Sequence, residues 1–315
     1  MSLFFNNEDY KMFVYSAFEL IIGSDLELPE FQHSNASPTV FFRFGKIDPP
    51  EVPCDDPVRI FLNRGNGILL YWSAISAFLV ESGSKVTITA VDGIDEKAIR
   101  LLLTGPVLGV LLYQRGFHVF HASVVYNPQV NGAFAFMAEK GEGKSTTASI
   151  MYNHGYYFMS DDILALSYNR GVVHVLPGFP HSKLCDEAAT ALIDAQVDIK
   201  KIGANLSKRG RVMKERFLSE PSMLKALFAL EYGDTLEIVP LQGKDALKEV
   251  LPQWYGALFT GQLIDLFGRA NHFLQCTQLV KVVPIYKIRR PKSLKKLPEM
   301  AHMLDEFIVE NSKKM

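Results

Sequence analysis

The sequence predicts an α+β protein in which a β-rich N-terminal part, residues 1–94, precedes a P-loop-bearing part, residues 95–315. Three observations lead there. Residues 138–145 read Ala-Glu-Lys-Gly-Glu-Gly-Lys-Ser, the phosphate-loop pattern G-x-x-x-x-G-K-[ST] with alanine in its first position. The apolar run Ala133-Phe-Ala-Phe-Met137 enters that loop as a buried strand, and Ser145-Thr-Thr-Ala-Ser-Ile-Met-Tyr leaves it as the start of a helix. Residues 10–95, by contrast, carry short strand-like segments and turn signals, with no nucleotide motif.

Composition sets wide bounds. A chain of 315 residues, 48% hydrophobic and 21% charged, can bury a large core. A formal net charge of −1 exerts no overall pull toward nucleic acid or a membrane. The three cysteines, Cys54, Cys185 and Cys276, stand far apart without a C-x-x-C pair, which fits reduced thiols in a cytosolic protein. No basic segment followed by an apolar one opens the chain, so no export signal is expected. The histidines other than His121 lack H-x-x-x-H or H-E-x-x-H spacing, and no transition-metal site is expected from them. A homo-oligomer is left open.

The N-terminal part is expected to hold one helix among its strands. Residues 12–22 are apolar and end before Gly23-Ser-Asp, residues 39–44 and 58–62 have strand composition, and residues 85–91 alternate as a half-buried strand. This part is either a scaffold or a recognition surface for an acceptor peptide. Asp95 is an N-cap candidate ahead of an acidic first turn, and the helix it starts runs into the apolar residues 101–113. Thr104, Gly105 and Pro106 interrupt that run, which is too short to span a bilayer and reads as a broken, buried helix.

Residues 117–125 and 132–138 form a predicted hairpin around Tyr126-Asn-Pro-Gln-Val-Asn131. If residue 125 pairs with residue 132, His121 lies opposite Phe136, near the phosphate loop. At the loop, Gly141 and Gly143 let the backbone approach phosphate oxygens, and the unpaired N–H groups of the helix's first turn favour a polyanion. Lys144 would meet the β- and γ-phosphates and Ser145 would offer its hydroxyl to Mg²⁺. Residues Glu139, Lys140, Gly141, Glu142, Gly143, Lys144, Ser145 and Thr146 are thus the expected contacts of a nucleoside triphosphate, ATP.

A helix over 144–154 rises about 16 Å, and a strand over 156–160 returns about the same distance. Gly155 stops the helix between them. Asp161 and Asp162 therefore come back at the level of the phosphates. Two adjacent carboxylates there can divide the work, one holding the metal and one accepting the proton of an attacking hydroxyl.

Beyond the pair, residues 163–168 and 172–176 fit a second hairpin and Pro177-Gly-Phe-Pro180 forces a loop, after which come His181, Ser182 and Lys183. Residues 198–217 carry seven basic residues, Lys208, Arg209 and Arg211 among them, against Asp198 and Glu215. That segment could close over ATP or grip an acidic peptide; the competing reading is a solvated surface. Residues 223–230 read as an apolar strand or helix end, 235–240 as a strand, 244–257 and 263–270 as helices, 280–288 as a strand and 294–309 as an amphipathic helix. Trp254 is read as core. The basic cluster from Lys287 to Lys296 could bind phosphate or an acidic leader, or merely solvate a strand end.

His121, a short hairpin, the loop Gly141-Glu-Gly-Lys-Ser145, a short helix and Ser160-Asp-Asp162 together resemble the catalytic half of HPr kinase/phosphorylase, whose fold is related to phosphoenolpyruvate carboxykinase. The sequence is more similar still to HPr-kinase-like proteins encoded with lasso peptides, which phosphorylate a serine of the precursor. Ala17-Phe-Glu-Leu20 with Leu26-Glu-Leu-Pro-Glu30, Leu102-Leu-Thr-Gly-Pro-Val-Leu-Gly109 with Gln114-Arg-Gly116, and Val283-Pro-Ile-Tyr-Lys-Ile-Arg-Arg-Pro291 extend the likeness over most of the chain. The resemblance implies an ATP- and Mg²⁺-dependent serine kinase with a precursor peptide as partner. A protein acceptor such as HPr, or nucleotide-responsive peptide binding without catalysis, are the alternatives. It further implies Asp161 as base with His121 beside it, Ser145 and Asp162 on Mg²⁺, and Lys183 as a basic residue near the transferred group, where the residues alone allow an ordinary surface lysine.

Overall fold

The structure is a computed structural model that describes residues 12–48, 59–62, 67–185, 187, 188, 190, 199–201, 208–255, 268–313 and 315; of residues 59–62, 199–201, 208 and 209 it describes the backbone. The class is α+β, with the strands of the described residues gathered in three sheets.

The N-terminal sheet contains β1 (Phe13–Ala17), β2 (Leu20–Ser24), β3 (Gln32–His33), β4 (Val40–Phe44), β5 (Arg59–Leu62), β6 (Gly67–Trp72), β7 (Ser76–Glu81) and β8 (Lys85–Ala90), in the order β3-β1-β2-β4-β8-β7-β6-β5. The helix expected before residue 95 is absent among the described residues. Residues 12–22 instead form the hairpin β1–β2, because Phe18 and Glu19 take positive φ of 52° and 58° in a two-residue turn. An aromatic residue is uncommon in that region. Here Phe18 is fully buried and its N–H donates to the carbonyl of Pro177, so distant packing holds the turn.

The helix starting after Asp95 forms as expected. The Asp95 carboxylate caps α1 (Glu96–Leu102) by accepting from Lys97 N–H, and α2 (Leu108–Gln114) follows. Residues 103–107 between them form a π-helical turn around Gly105 and Pro106, the break that the proline imposes. Leu103, Val107, Leu108 and Leu111 pack on Leu70, Phe78 and Ile88 of the N-terminal sheet, and the same core takes in Val119, Ile163, Leu176 and Trp254.

The second sheet holds β9 (His118–Phe120), β10 (Ala122–Asn127), β11 (Gly132–Met137), β12 (Tyr157–Ser160), β13 (Leu164–Asn169), β14 (Val172–Leu176) and β18 (Ser222–Tyr232), ordered β12-β10-β11-β18-β14-β13-β9. β20 (Ile285–Arg290) runs parallel to β18, and β19 (Glu237–Leu241) pairs with β20. β11 lies inside and is buried on both faces, hence its unbroken apolar sequence. Phe134 and Phe136 face Ala148 and Met151 of α3 (Lys144–Asn153) and Ala301, Leu304 and Ile308 of α6 (Leu297–Asn311). Ala133, Ala135 and Met137 face the opposite layer, built from Ala246 and Val250 of α4 (Gly243–Val250) and Cys276 and Leu279 of α5 (Arg269–Val282).

Two C-terminal boundaries differ from expectation. The helix over 244–257 is cut at Val250 by a 3₁₀ turn, residues 251–253, containing Pro252, and 256–257 lie outside the described residues. Residues 263–267 also lie outside them, and α5 extends through 280–282, expected as strand. Pro284 decides that end: the residue before it, Val283, is forced extended at φ −114°, ψ 124°, and β20 starts only at Ile285. A small third sheet orders β15 (His181–Cys185), β17 (Lys208–Val212) and β16 (Ile199–Lys201) as β15-β17-β16. Among the described residues, no helix is long and apolar enough to cross a membrane.

Candidate functional site

The loop between β11 and α3 is built by its glycines. Gly141 and Gly143 have φ of +93° and +87°, a region closed to most side chains, and Gly143 is the residue from which α3 begins. Ala138, standing where the pattern has glycine, is not among the residues of positive φ; its methyl joins the core beside Phe136 and Ala148, so the turn tolerates it. Glu142 folds its carboxylate back to accept from Glu139 N–H at 3.1 Å. Lys144, only 7% exposed, donates from Nζ to the carbonyls of Ala138 at 2.8 Å and Glu139 at 3.1 Å. The ammonium is thereby held inside the loop's curve, where phosphate oxygens could replace those carbonyls.

The hairpin register differs from expectation by two residues. Asn127 pairs with Gly132 and Ala122 with Met137, so Val125 faces Phe134. Continuing that ladder by one residue sets His121 level with Ala138, at the loop itself rather than opposite Phe136. The short turn, in which Asn127 Oδ1 accepts from the N–H groups of Gln129 and Val130, makes the difference.

β12 returns beside β10 and ends at Ser160, delivering Asp161 and Asp162 to the loop as the lengths predicted. The two carboxylates then part. Asp161, 5% exposed, accepts from Ser123 Oγ at 2.5 Å and Ser145 Oγ at 2.9 Å on Oδ1, and from Ser182 Oγ at 2.8 Å and Lys183 N–H at 2.9 Å on Oδ2. Asp162 has a left-handed backbone, φ +72°, that turns its side chain the other way. Its Oδ1 lies 3.2 Å from His121 Nδ1 and its Oδ2 3.3 Å from Lys183 Nζ, with 27% of the side chain exposed. His121 Nδ1 is also 3.0 Å from the carbonyl of Asp162. A carbonyl only accepts, so Nδ1 carries the proton and Nε2 is the nitrogen with a lone pair.

This geometry corrects two expected pairings. Ser145 sits against Asp161, not Asp162, and His121 sits against Asp162, not Asp161. Asp161, just past the end of β12, is drawn in by donors from β10, α3 and β15, and the positive φ of Asp162 turns the next side chain toward the cleft.

His121, Lys140, Gly141, Gly143, Lys144, Ser145, Thr146, Asp161, Asp162, Lys183 and Cys185 together line a cleft of about 260 Å³. Lys183 thus belongs to the site. Arg211 does not: it bonds Asn153 Oδ1 at 2.6 Å and packs over Tyr152, at the end of α3 remote from the loop. Arg216 donates to the Tyr152 carbonyl at 2.6 Å and stacks on the same ring, so these two arginines cap the helix's negative end. The side chains of Lys208 and Arg209 lie outside the described residues. The basic cluster 287–296 also divides. Lys287 pairs with Glu231 and Glu249, and Arg289 with Glu231 and Glu237. Arg290 alternates to the buried side and donates to the Glu142 carbonyl at 2.7 Å, stacked over Tyr232.

The sequence by itself does not place Arg290, Ser123, Ser182 and Tyr255 at the site. Arg290 alone left a trace, as one member of a basic run, because distant strands bring the others together. Tyr255 is buried against Gly109, where a methyl would collide with its ring, and burial followed by the nearby Asp162 charge holds its phenol well above the ordinary range. His181 is pushed down to about 4 by burial and then by Lys183, with Asp161 opposing.

The contacts define a site class: a glycine-lined loop at a helix N-terminus facing a divided carboxylate pair. No family model matches the chain, and no curated protein matches it significantly. Among solved structures, the Hpr(Ser) kinase/phosphatase from Coxiella burnetii is similar over 62% of this chain and 95% of its own, at 12% identity and a TM-score of 0.31. A superposition that loose carries no argument about residues or reaction.

Proposed function

We propose that the protein is a serine kinase of the HPr-kinase-like type, using ATP and Mg²⁺ in the cytoplasm, with a peptide as acceptor. The observation that carries the reading is the division of labour between Asp161 and Asp162. Asp161 is buried and bonded to the loop hydroxyl of Ser145. Asp162 faces the cleft between an imidazole and an ammonium.

The residues fit the groups this reaction needs. Ser145 donates its hydroxyl hydrogen bond to Asp161 and so presents oxygen lone pairs to a hard cation, and Asp161, which accepts four bonds, would become that ion's anionic ligand on releasing one of them. Gly141, Gly143 and Lys144 would hold the phosphates, with the buried Thr146 and the exposed Lys140 also lining the cleft. Bound MgATP supplies the transferable phosphoryl group and the neutralisation of its charge. Asp162, oriented by His121, would accept the proton of the acceptor hydroxyl as its oxygen bonds to phosphorus, and Lys183 would offset charge on the transferred group. The metal and base roles are therefore exchanged between the two aspartates relative to the sequence expectation.

The lasso-precursor acceptor, and a recognition role for residues 1–94, rest on sequence resemblance. Mass spectrometry after incubation with ATP and Mg²⁺ tests them, using a lasso precursor ending in serine, the same peptide ending in alanine, and HPr. One added phosphate on the serine-ended peptide alone is expected. Phosphate on HPr moves the assignment to a protein acceptor, and no product on any acceptor overturns the kinase reading.

A further inference from the structure

Chain spacing gave no reason to expect a transition-metal site, yet folding assembles a set of donors on the side of the second sheet that carries α5. His272 and Cys276 stand four residues apart on one face of α5, and His118 comes to them from β9. Each contributes a nitrogen or sulfur, and these atoms lie within 4.8 Å of one another, all in buried residues. Cys276 Sγ is 4.0 Å from His118 Nε2, and 3.7 Å and 3.5 Å from His272 Nδ1 and Nε2.

We propose that His118, His272 and Cys276 form a buried binding site for a borderline divalent ion of the zinc class. Thiolate with two imidazoles is a donor set that selects such an ion over Mg²⁺ or Ca²⁺. Around a four-coordinate zinc the nitrogen and sulfur donors stand about 3.4–3.6 Å apart, so closure asks for small shifts and a turn of the His272 ring. Oxygen partners already engage the outer nitrogens. The Leu251 carbonyl lies 3.1 Å from His272 Nε2, which must therefore carry the proton and leaves Nδ1 as donor. Tyr168 Oη lies 3.2 Å from His118 Nδ1, leaving Nε2. Such second partners fix the orientation of metal-binding imidazoles.

The position gives the site a role distinct from phosphoryl transfer. His118 is three residues before His121, whose N–H donates to the Gln253 carbonyl at 2.7 Å, and the Leu251 segment leads on to Tyr255. An ion here would clamp β9, α5 and the 251–255 segment, the supports of His121, without entering the cleft.

The test is titration of the untagged, reduced full-length chain with Co²⁺ and then Zn²⁺. One equivalent of Co²⁺ with a sulfur-to-cobalt charge-transfer band is expected, displaced by Zn²⁺, present in the Cys54→Ser/Cys185→Ser variant and lost in Cys276→Ser. Zinc should also raise the thermal unfolding midpoint of the parent and not of Cys276→Ser. If Cys276→Ser does not fold, His272→Gln replaces it, with zinc affinity lowered at least tenfold. Absence of the band in the parent, its survival in Cys276→Ser, or unchanged zinc affinity in His272→Gln overturns the proposal.

Discussion

Replacing Asp162 with Asn removes the carboxylate that His121 and Lys183 hold at the cleft while keeping its shape. Loss of a positioned base costs about 10²–10⁴ in rate, equivalent to about 3–5 kcal/mol of transition-state stabilisation at roughly 1.4 kcal/mol per decade. The cost to stability is small, because Asp162 and its partners are partly exposed, and such pairs contribute up to about 1 kcal/mol. Asp161→Asn should lower stability as well as metal-dependent activity. Asp161 accepts two donors on each oxygen; turned with its nitrogen toward Ser123 and Ser145, whose hydroxyls can accept, an amide keeps four bonds but makes all of them neutral. At roughly 1 kcal/mol less for each bond that loses its charged acceptor, the loss is about 4 kcal/mol, a large share of the roughly 5–15 kcal/mol that holds a folded domain. Initial phosphoryl-transfer rates, titration with a fluorescent ATP analogue and urea unfolding separate the two effects. Asp162→Asn should lose at least about a hundredfold in rate with nucleotide affinity nearly intact, and Asp161→Asn should unfold at lower urea. A rate for Asp162→Asn within tenfold of the parent, or parental stability of Asp161→Asn, refutes the exchanged assignment.

Three further outcomes follow from the same contacts. Gly143→Ala forces a Cβ onto φ +87° and into the Arg290 guanidinium, so nucleotide affinity should fall at least tenfold in the same analogue titration. Arg211→Ala should lower stability by about 1–2 kcal/mol through lost capping and packing on Tyr152, yet leave nucleotide affinity unchanged; a large drop in affinity would place Arg211 back at the phosphates. His181, ordinarily near 6.5, sits at about 4 in the folded chain. Unfolding therefore takes up a proton between those values: its contribution is complete above pH 6.5 and is lost as pH falls toward 4. Urea unfolding at pH 7.5 and 5.5 should show on the order of 1 kcal/mol less stability at the lower pH from this residue, and His181→Gln should remove that share of the difference.

Local pattern made much of this molecule legible. The loop is readable because its glycines serve backbone conformations at fixed spacing, and the carboxylate pair because helix and strand rise per residue fix where a chain of known length returns. The Asp95 cap, the break at Pro106 and the hairpin 164–176 are likewise local. Residues 12–22 are not, since an apolar run satisfies either period until the turn at Phe18 is fixed by its burial and by its N–H donating to the Pro177 carbonyl.

By itself, then, the sequence determined the α+β class through its hydrophobic periodicities, and the glycine-rich loop and the approach of two aspartates through interactions within about thirty consecutive residues. Only the tertiary structure decided which aspartate is buried and which faces the cleft, because Ser123, Ser182 and Lys183 reach Asp161 from other strands. It also set Arg211 at the end of α3 away from the loop, brought Arg290 to the loop and gathered His118, His272 and Cys276. Those contacts join residues up to 158 positions apart, and such distances close only when sheets pair and cores pack.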